Sequence, residues 1–349
     1  CFTSEEELKI IRRNQIASGQ PPRYTGLWAD ANEQEVNKEL DKGKKPVYRF
    51  RMPKDRTIEF KDLVKGEQSF STVDLDDFIV RKKDNTPTFM FANAIDDSLM
   101  GVDIVLRGDD HLSNTPRQIA LLEALDLSLP RYAHVSLFTG SDGAPLSKRN
   151  GSMSINDLRE QGYLPIAVVN YLSRVGHTMA DNDLKTHIEL AQEFKVDNIS
   201  NSPSKFDMDQ LLYWQKKAVE ELNVSECISW LKDHLAGLPS SIDKGNFVAL
   251  IKDNINFPHE AQEYLNYLFL TPLRERSEII HIIRSAGKDF FLKAQEVVAP
   301  GISDWNETVK TIGSETGNKG KELFMPLRCA ITGQTKGPEL DRVVSLIGT

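Results

Sequence analysis

The chain has 349 residues, 40% of them hydrophobic and 27% charged, with a formal net charge of −8. This is the balance of an ordinary globular protein, long enough for more than one domain with its own core. No apolar stretch approaches the ~20 residues of a membrane span, and the acidic balance argues against a general nucleic-acid binder, although local basic patches on an acidic body can still hold a shaped partner.

The opening "CFTSEEELKIIRRNQ" is polar and charged and does not read as a signal peptide. From Ser4 to Ala17 it reads as a helix, with Ser4 as N-cap, acids in the first turn, and Leu8, Ile11 and Ile16 near one face. "SGQPPRYTG" breaks that helix. "PVYRFRMP" and "TIEFKDLV" alternate apolar and polar residues, as half-buried strands do. "STVDLDDFIVRKKDNTPTFMFANAIDD" continues with strand-like pieces around a turn at Asp84-Asn85.

"VDIVLRGDD" has the pattern of a buried strand whose charges appear only at its carboxyl end. "SNTPRQIALLEALDL" follows as a helix, with Ser113 or Asn114 as cap, Pro116 near its start and an apolar face from Ile119 to Leu125. Strand, acidic turn and helix make an α/β unit, and such sheets bind ligands beyond the carboxyl ends of their strands. Arg107, Asp109, Asp110 and His111 therefore stand either at a ligand site or in a solvated turn.

"GAPLSKRNGSMS", Gly143 to Ser154, is a small-residue, turn-prone segment between apolar runs. It fits an exposed hairpin tip, or a loop that brings a lysine and backbone N–H groups to a polyphosphate. From Ser154 onward the patterns are mostly helical, broken by "VDNISNSPS" and "GLPSSIDKGN". There is no internal repeat and no low-complexity run. The short basic runs at 42–45, 81–83 and 215–217 read as solvated faces. Cys1, Cys227 and Cys329 are scattered, which gives no disulfide framework and fits a reducing compartment. The seven histidines are too dispersed for zinc spacing.

Taken together, "LRGDDHLSNTPRQIALLEALDL", "PRYAHVSLF" and "LSKRNGSMSINDLREQGYLPIAVVNYLSRVGH" resemble the core of the bacterial glutamyl-tRNA synthetases, or glutamate–tRNA ligases. "CFTSEEELKIIRRNQIASGQPPRYTG" is similar to that family's inserted acceptor-end domain, and "PLRCAITGQTKGPEL" to the end of its anticodon-binding region. The resemblance runs along nearly the whole chain and in order. It implies an α/β part followed by an all-α part: the second half of a Rossmann-type class I catalytic domain, with an inserted α+β acceptor-end domain and a helical anticodon-binding region. The implied divisions are a partial acceptor-end domain at 1–86, the catalytic half at 87–136, a stem-contact domain at 137–222 and the anticodon-binding region at 223–349. The family's His-Ile-Gly-His-type ATP motif has no match here, so the resemblance implies that this half of the catalytic domain lies outside the chain and that the chain alone is inactive or nearly so.

The reaction implied joins glutamate and ATP, with Mg2+, into glutamyl-adenylate, then passes the glutamyl group to the terminal ribose hydroxyl of tRNA-Glu. By the same resemblance "PLSKR" stands at the KMSKS-type loop, with Lys148 catalytic on the pyrophosphate side and Leu146, Ser147 and Arg149 along the ATP. Pro145 stands where a lysine is common. Asp110 and a backbone contact of Phe138 also fall to ATP. Arg107, Asn93 and Phe89 fall to glutamate, Phe89 at a position often held by tyrosine. Of the residues that hold zinc in some members only Cys1 remains, with Thr3, Trp28 and Asp30 at the other places, so no zinc or other metal site is expected. Asn254 falls at an anticodon-reading position where arginine is frequent, which leaves tRNA-Gln open as a second partner. A cytoplasmic monomer follows from the family. Competing expectations are a glutaminyl-tRNA synthetase, a paralogue that glutamylates a queuosine base, and a non-catalytic tRNA-binding module. The first ends in β-barrels and the second lacks an anticodon-binding tail, whereas this chain ends in helices.

Overall fold

The computed structural model describes residues 1–349 apart from Thr25, Ser141, Asp142, Pro145, 147–153, 271–276, Ser303 and Thr349, with Ser277 and Glu278 described by backbone only. The chain forms two compact units. The first comprises Cys1–Leu146, Val175–Ala180 and Glu193–Phe206; the second takes the other residues.

Helix α1 (Glu5–Ala17) opens the first unit, with Ser4 and Glu7 closing a reciprocal capping box. None of its residues is buried, and Ile10 and Ile16 are exposed, so the expected apolar face does not enter this unit's core. Helix α2 (Glu33–Asp41) starts on a second capping box, Asn32 with Glu35. Strands β1 (Tyr48–Phe50) and β4 (Phe78–Arg81) pair antiparallel.

The main sheet holds β2 (Thr57–Asp62), β3 (Gly66–Ser71), β5 (Ile104–Gly108) and β6 (Arg131–Val135) in the order β3-β2-β6-β5. β2 and β3 form an antiparallel hairpin, while β2, β6 and β5 run parallel. Helices α3 (Phe89–Leu99) and α4 (Thr115–Ala124) supply Ala94, Ile119, Ala120, Leu121 and Leu122 to a core shared with Ile58 and Tyr132 of the sheet. Burying each isoleucine or leucine side chain contributes about 1.5–3 kcal/mol before entropy is counted.

One expectation changes here. "FMFANAIDD" is helix α3 and not strand: Thr88 begins it, and Met90, Phe91, Ala94 and Ile95 recur at helical spacing toward the core. The main sheet draws on both sides of residue 86, with β2 and β3 at 57–71 beside β5 and β6. One short strand pair interrupts the mostly helical stretch after Ser154. Ser204–Lys205 (β8) pairs in parallel with Phe138–Thr139 (β7), since "VDNISNSPS" carries too many turn formers to continue a helix.

The second unit is helical: α5 (Ile155–Gln161), α6 (Pro165–Leu172), α7 (His187–Glu193, its last residue in the first unit), α8 (Met208–Glu221), α9 (Val224–Leu231), α10 (Lys244–Ile251) and α11 (Pro258–Leu265), then α12 (Ser277–Val298), α13 (Trp305–Thr316), α14 (Lys321–Thr332) and α15 (Leu340–Ile347). One core gathers Cys227, Leu231, Phe247, Val248, Ile251 and Leu265; another gathers Phe290, Val309, Ile312 and Leu327. Gln215, fully buried on α8, binds this unit across three segments: its Oε1 accepts from Leu164 N at 2.9 Å and its Nε2 donates to Asn256 O at 2.8 Å.

Candidate active site

The carboxyl ends of β2, β6 and β5 bring three polar side chains together: Asp62, His134 and Arg107. Arg107 and His134 are register partners in the parallel ladder. The Arg107 guanidinium donates from Nε to His134 Nε2 at 3.2 Å, from Nη1 to Asn93 Oδ1 at 3.4 Å, and from Nη2 to Thr115 Oγ1 at 2.8 Å and Gln118 Oε1 at 2.7 Å. Thr115 and Gln118 lie on α4 and are buried; Asn93 lies on α3.

Asp62 closes the network from behind. Its Oδ1 accepts backbone N–H groups of Val64 at 3.0 Å, Lys65 at 2.8 Å and His134 at 3.1 Å, and its Oδ2 lies 2.5 Å from His134 Nδ1. Burial alone would raise the Asp62 carboxyl, but the Lys65 N–H, the imidazole and the other backbone donors outweigh it and hold the group below its usual range. Burial lowers the His134 imidazole below its usual 6.5, against the opposing pull of Asp62.

Arginine only donates, so His134 Nε2 must accept and the imidazole must be neutral with its proton on Nδ1. All four acceptors around the guanidinium are then uncharged. Burial depresses the Arg107 guanidinium, yet no arginine deprotonates at physiological pH. The cluster therefore offers an oriented positive charge that no carboxylate touches among the described residues. A half-shielded guanidinium of this kind suits a carboxylate ligand.

Phe89, 60% exposed, opens α3 with its ring 5.6 Å from the His111 ring, and Asn93 follows one turn later. Asp110 lies in the tight turn after β5 with its carboxylate exposed. A Cβ at Gly108 would stand 2.5 Å from Asp110 Oδ1 and 3.0 Å from Leu137 Cδ2, so a side chain there would displace the Asp110 carboxylate. Lys65 pairs with Asp109 at 3.0 Å and donates to Ser136 Oγ at 2.8 Å and Asn201 O at 2.9 Å, tying the β2–β3 turn to the strand ends. The Phe138 carbonyl accepts the Leu146 N–H at 3.0 Å, and the Ala144 carbonyl accepts the Gly140 N–H at 2.8 Å. Ser147, Lys148 and Arg149 lie outside the described residues.

Arg107 and Asn93 thus meet directly, with Phe89 one turn before Asn93. Asp62, Lys65, Thr115, Gln118 and His134 are additions that the sequence did not disclose. A lone aspartate ending an apolar strand, and a histidine inside "RYAHV", were the available signals. In the first unit Cys1 Sγ lies 3.4 Å from Thr3 Oγ1 and 3.1 Å from Tyr24 OH, Trp28 packs against Phe2, and Asp30 pairs with Arg51. No three His, Cys, Asp or Glu side chains converge as metal ligands among the described residues. Asn254, in the second unit, is exposed at the end of a tight turn. No helix among the described residues is long and apolar enough to cross a membrane.

Residues 1–213 match the family model for class I tRNA synthetases (E and Q), catalytic domain, and residues 226–349 match an anticodon binding domain. Glutamate–tRNA ligase 1 of Halorhodospira halophila is 44% identical over 351 residues, covering all of this chain and 72% of the relative. Glutamate–tRNA ligase 2 of Coxiella burnetii is 42% identical, covering 99% of this chain and 75% of the relative. A crystal structure of a glutamate tRNA ligase from Elizabethkingia meningosepticum, in complex with its amino acid, superposes with a TM-score of 0.86 at 26% identity, covering all of this chain and 76% of that one.

Proposed function

This chain belongs to the class I glutamate–tRNA ligases, and on that footing we propose that the Arg107 cluster is where it takes up glutamate. The activity of the family is to attach glutamate to tRNA, with ATP as the energy source. Arg107 carries the proposal: a fixed guanidinium, held by four neutral acceptors, has its charge left for a substrate carboxylate.

The chemistry follows in two steps. A glutamate carboxylate oxygen attacks the α-phosphorus of ATP, and the bond to pyrophosphate breaks. The terminal ribose hydroxyl of the tRNA then attacks the acyl carbon, and AMP leaves. Neither step needs a covalent protein intermediate, so positioning and charge stabilisation supply the acceleration. Asn93 and the Phe89 ring would border the amino acid. Leu146, Ser147 and a backbone contact of Phe138 would lie along ATP, with Lys148 and Arg149 facing the departing pyrophosphate. Mg2+ would arrive with the ATP phosphates, and the exposed Asp110 carboxylate is an oxygen ligand of the right kind for it. Zinc has no part in this scheme. Residues 137–222 would contact the tRNA stem and 223–349 the anticodon, in a cytoplasmic monomer.

The test is charging of tRNA-Glu and tRNA-Gln transcripts by the protein that carries this chain, with binding followed at two salt concentrations. Preference for tRNA-Glu, weakening as salt rises, supports the proposal. Binding of tRNA without any charging would favour a non-catalytic binding module instead.

A further inference from the structure

We infer that Asp62 and His134 are positioning residues for Arg107: they hold the imidazole as the neutral Nδ1–H tautomer, so that its Nε2 receives the Arg107 Nε–H and sets the guanidinium for its carboxylate ligand. The inference rests on the glutamate site proposed above and adds the part of the machinery that lies behind it.

Asp62 Oδ1 is committed to three backbone N–H groups, those of Val64, Lys65 and His134, so it is an oxygen that cannot be exchanged for an N–H group. Oδ2 is left facing His134 Nδ1 at 2.5 Å, and a carboxylate oxygen there demands that Nδ1 carry the proton. On the far side of the ring, Arg107 Nε–H points at Nε2 from 3.2 Å. A proton on Nε2 would set two donors against each other. Thr115 Oγ1, 3.1 Å from Nε2 and 2.8 Å from Arg107 Nη2, fits the same assignment by accepting from the guanidinium. The relay thus runs from the β2–β3 turn through Asp62 and His134 to Arg107, across the ends of all three parallel strands.

A purely structural role for this buried pair would make every property of the protein suffer together. A positioning role is narrower. Asp62→Asn must keep its oxygen on the three backbone donors, so its amide nitrogen faces Nδ1 and drives the imidazole to the Nε2–H tautomer. That places a donor against Arg107. His134→Asn keeps a donor toward Asp62 but leaves the Arg107 Nε–H unpaired, whereas His134→Gln restores an acceptor near the Nε2 position.

The experiment labels histidine with 15N and reads the His134 tautomer at pH 7 in the unmodified protein and in Asp62→Asn, with His134→Asn assigning the signal. The same proteins are assayed for glutamate KM, ATP KM and kcat in tRNA charging. The expected result is an Nδ1–H imidazole that switches in Asp62→Asn, with glutamate KM raised about 5- to 100-fold in Asp62→Asn and His134→Asn, as one opposed or unpaired buried donor predicts. ATP KM should hold, and His134→Gln should stay within about threefold of the unmodified protein. A charged or Nε2–H imidazole in the unmodified protein overturns the inference. So does a tautomer switch that leaves glutamate KM unmoved, or a loss shared equally by glutamate and ATP. If Asp62→Asn does not fold, the contrast between His134→Asn and His134→Gln decides, and equal KM values for the two overturn it. Absence of any glutamate response in the unmodified protein overturns the underlying site assignment, and the histidine signal then tells that failure apart from failure of the relay.

Discussion

The Nε–H of Arg107 donates to Nε2 of His134 at 3.2 Å, between residues that face each other across the parallel ladder of β5 and β6. An arginine can form that bond only with a neutral imidazole. The charge state of His134 and the aim of Arg107 are therefore a single structural fact, and several measurable consequences depend on it.

Stability should fall as the pH drops below about 6.5, the usual value for histidine. Burial lowers the folded-state pKa of His134; Asp62 and Asp109 pull it up, while Arg107 adds to the lowering. The unfolded chain therefore takes up this proton first, and stability contributed above pH 6.5 is lost as the pH falls toward the lowered folded value. Asp62 adds a second loss in the acid range: its stabilisation is present above the usual carboxyl value of 3.8 and disappears as the pH falls through its lowered folded value. Urea midpoints from pH 7.5 to 4.5 should decline less steeply for His134→Gln than for the unmodified protein. Identical slopes would contradict the neutral imidazole.

Phe89→Tyr should lower glutamate KM by about 2- to 10-fold, the worth of one added hydrogen bond. Phe89 is 60% exposed, so the added hydroxyl enters no packed core and the melting temperature should stay within experimental error. An unchanged KM would remove Phe89 from the amino-acid pocket.

Gly162→Ala should destabilise the second unit by about 2–4 kcal/mol, from a left-handed backbone and overpacking together. Gly162 ends α5 at φ +92°, and a Cβ there would lie 2.3 Å from Pro258 Cδ. Urea unfolding followed by Trp230 fluorescence suits the test, because the indole Nε1 donates to the Gly162 carbonyl at 3.0 Å. A shift below about 0.5 kcal/mol would show that this contact relaxes without cost.

Asn254→Arg should raise the preference for tRNA-Glu over tRNA-Gln by about tenfold, within the range of one bidentate contact to a base edge. Its exposed position costs the fold nothing. Relative charging efficiencies give the answer, and an unaltered ratio would show that this residue does not read the anticodon.

The α/β unit was legible because "VDIVLRGDD" keeps its charges at one end and Pro116 marks the helix that follows. The same pattern marked Arg107 only together with Asp109, Asp110 and His111, and the family resemblance alone assigned it to glutamate. Asp62 and His134 could not be read this way. Their meeting depends on β2 lying beside β6, which local pattern does not encode, and a single histidine in "RYAHV" looks like any core residue. Helix α3 was misread because Phe, Met and Ile in a short apolar run suit strand and helix alike. The place of the β2–β3 hairpin in the main sheet was not legible either, since that sheet's other strands come more than thirty residues later.

The most direct measurement compares attachment of labelled glutamate and glutamine to tRNA-Glu by the protein that carries this chain, unmodified and as Arg107→Met. The account predicts that glutamate is attached, that glutamine is not, and that Arg107→Met raises glutamate KM by about 10- to 100-fold, as loss of one charge-assisted hydrogen bond requires. Charging with glutamine, or a glutamate KM indifferent to Arg107, would contradict it.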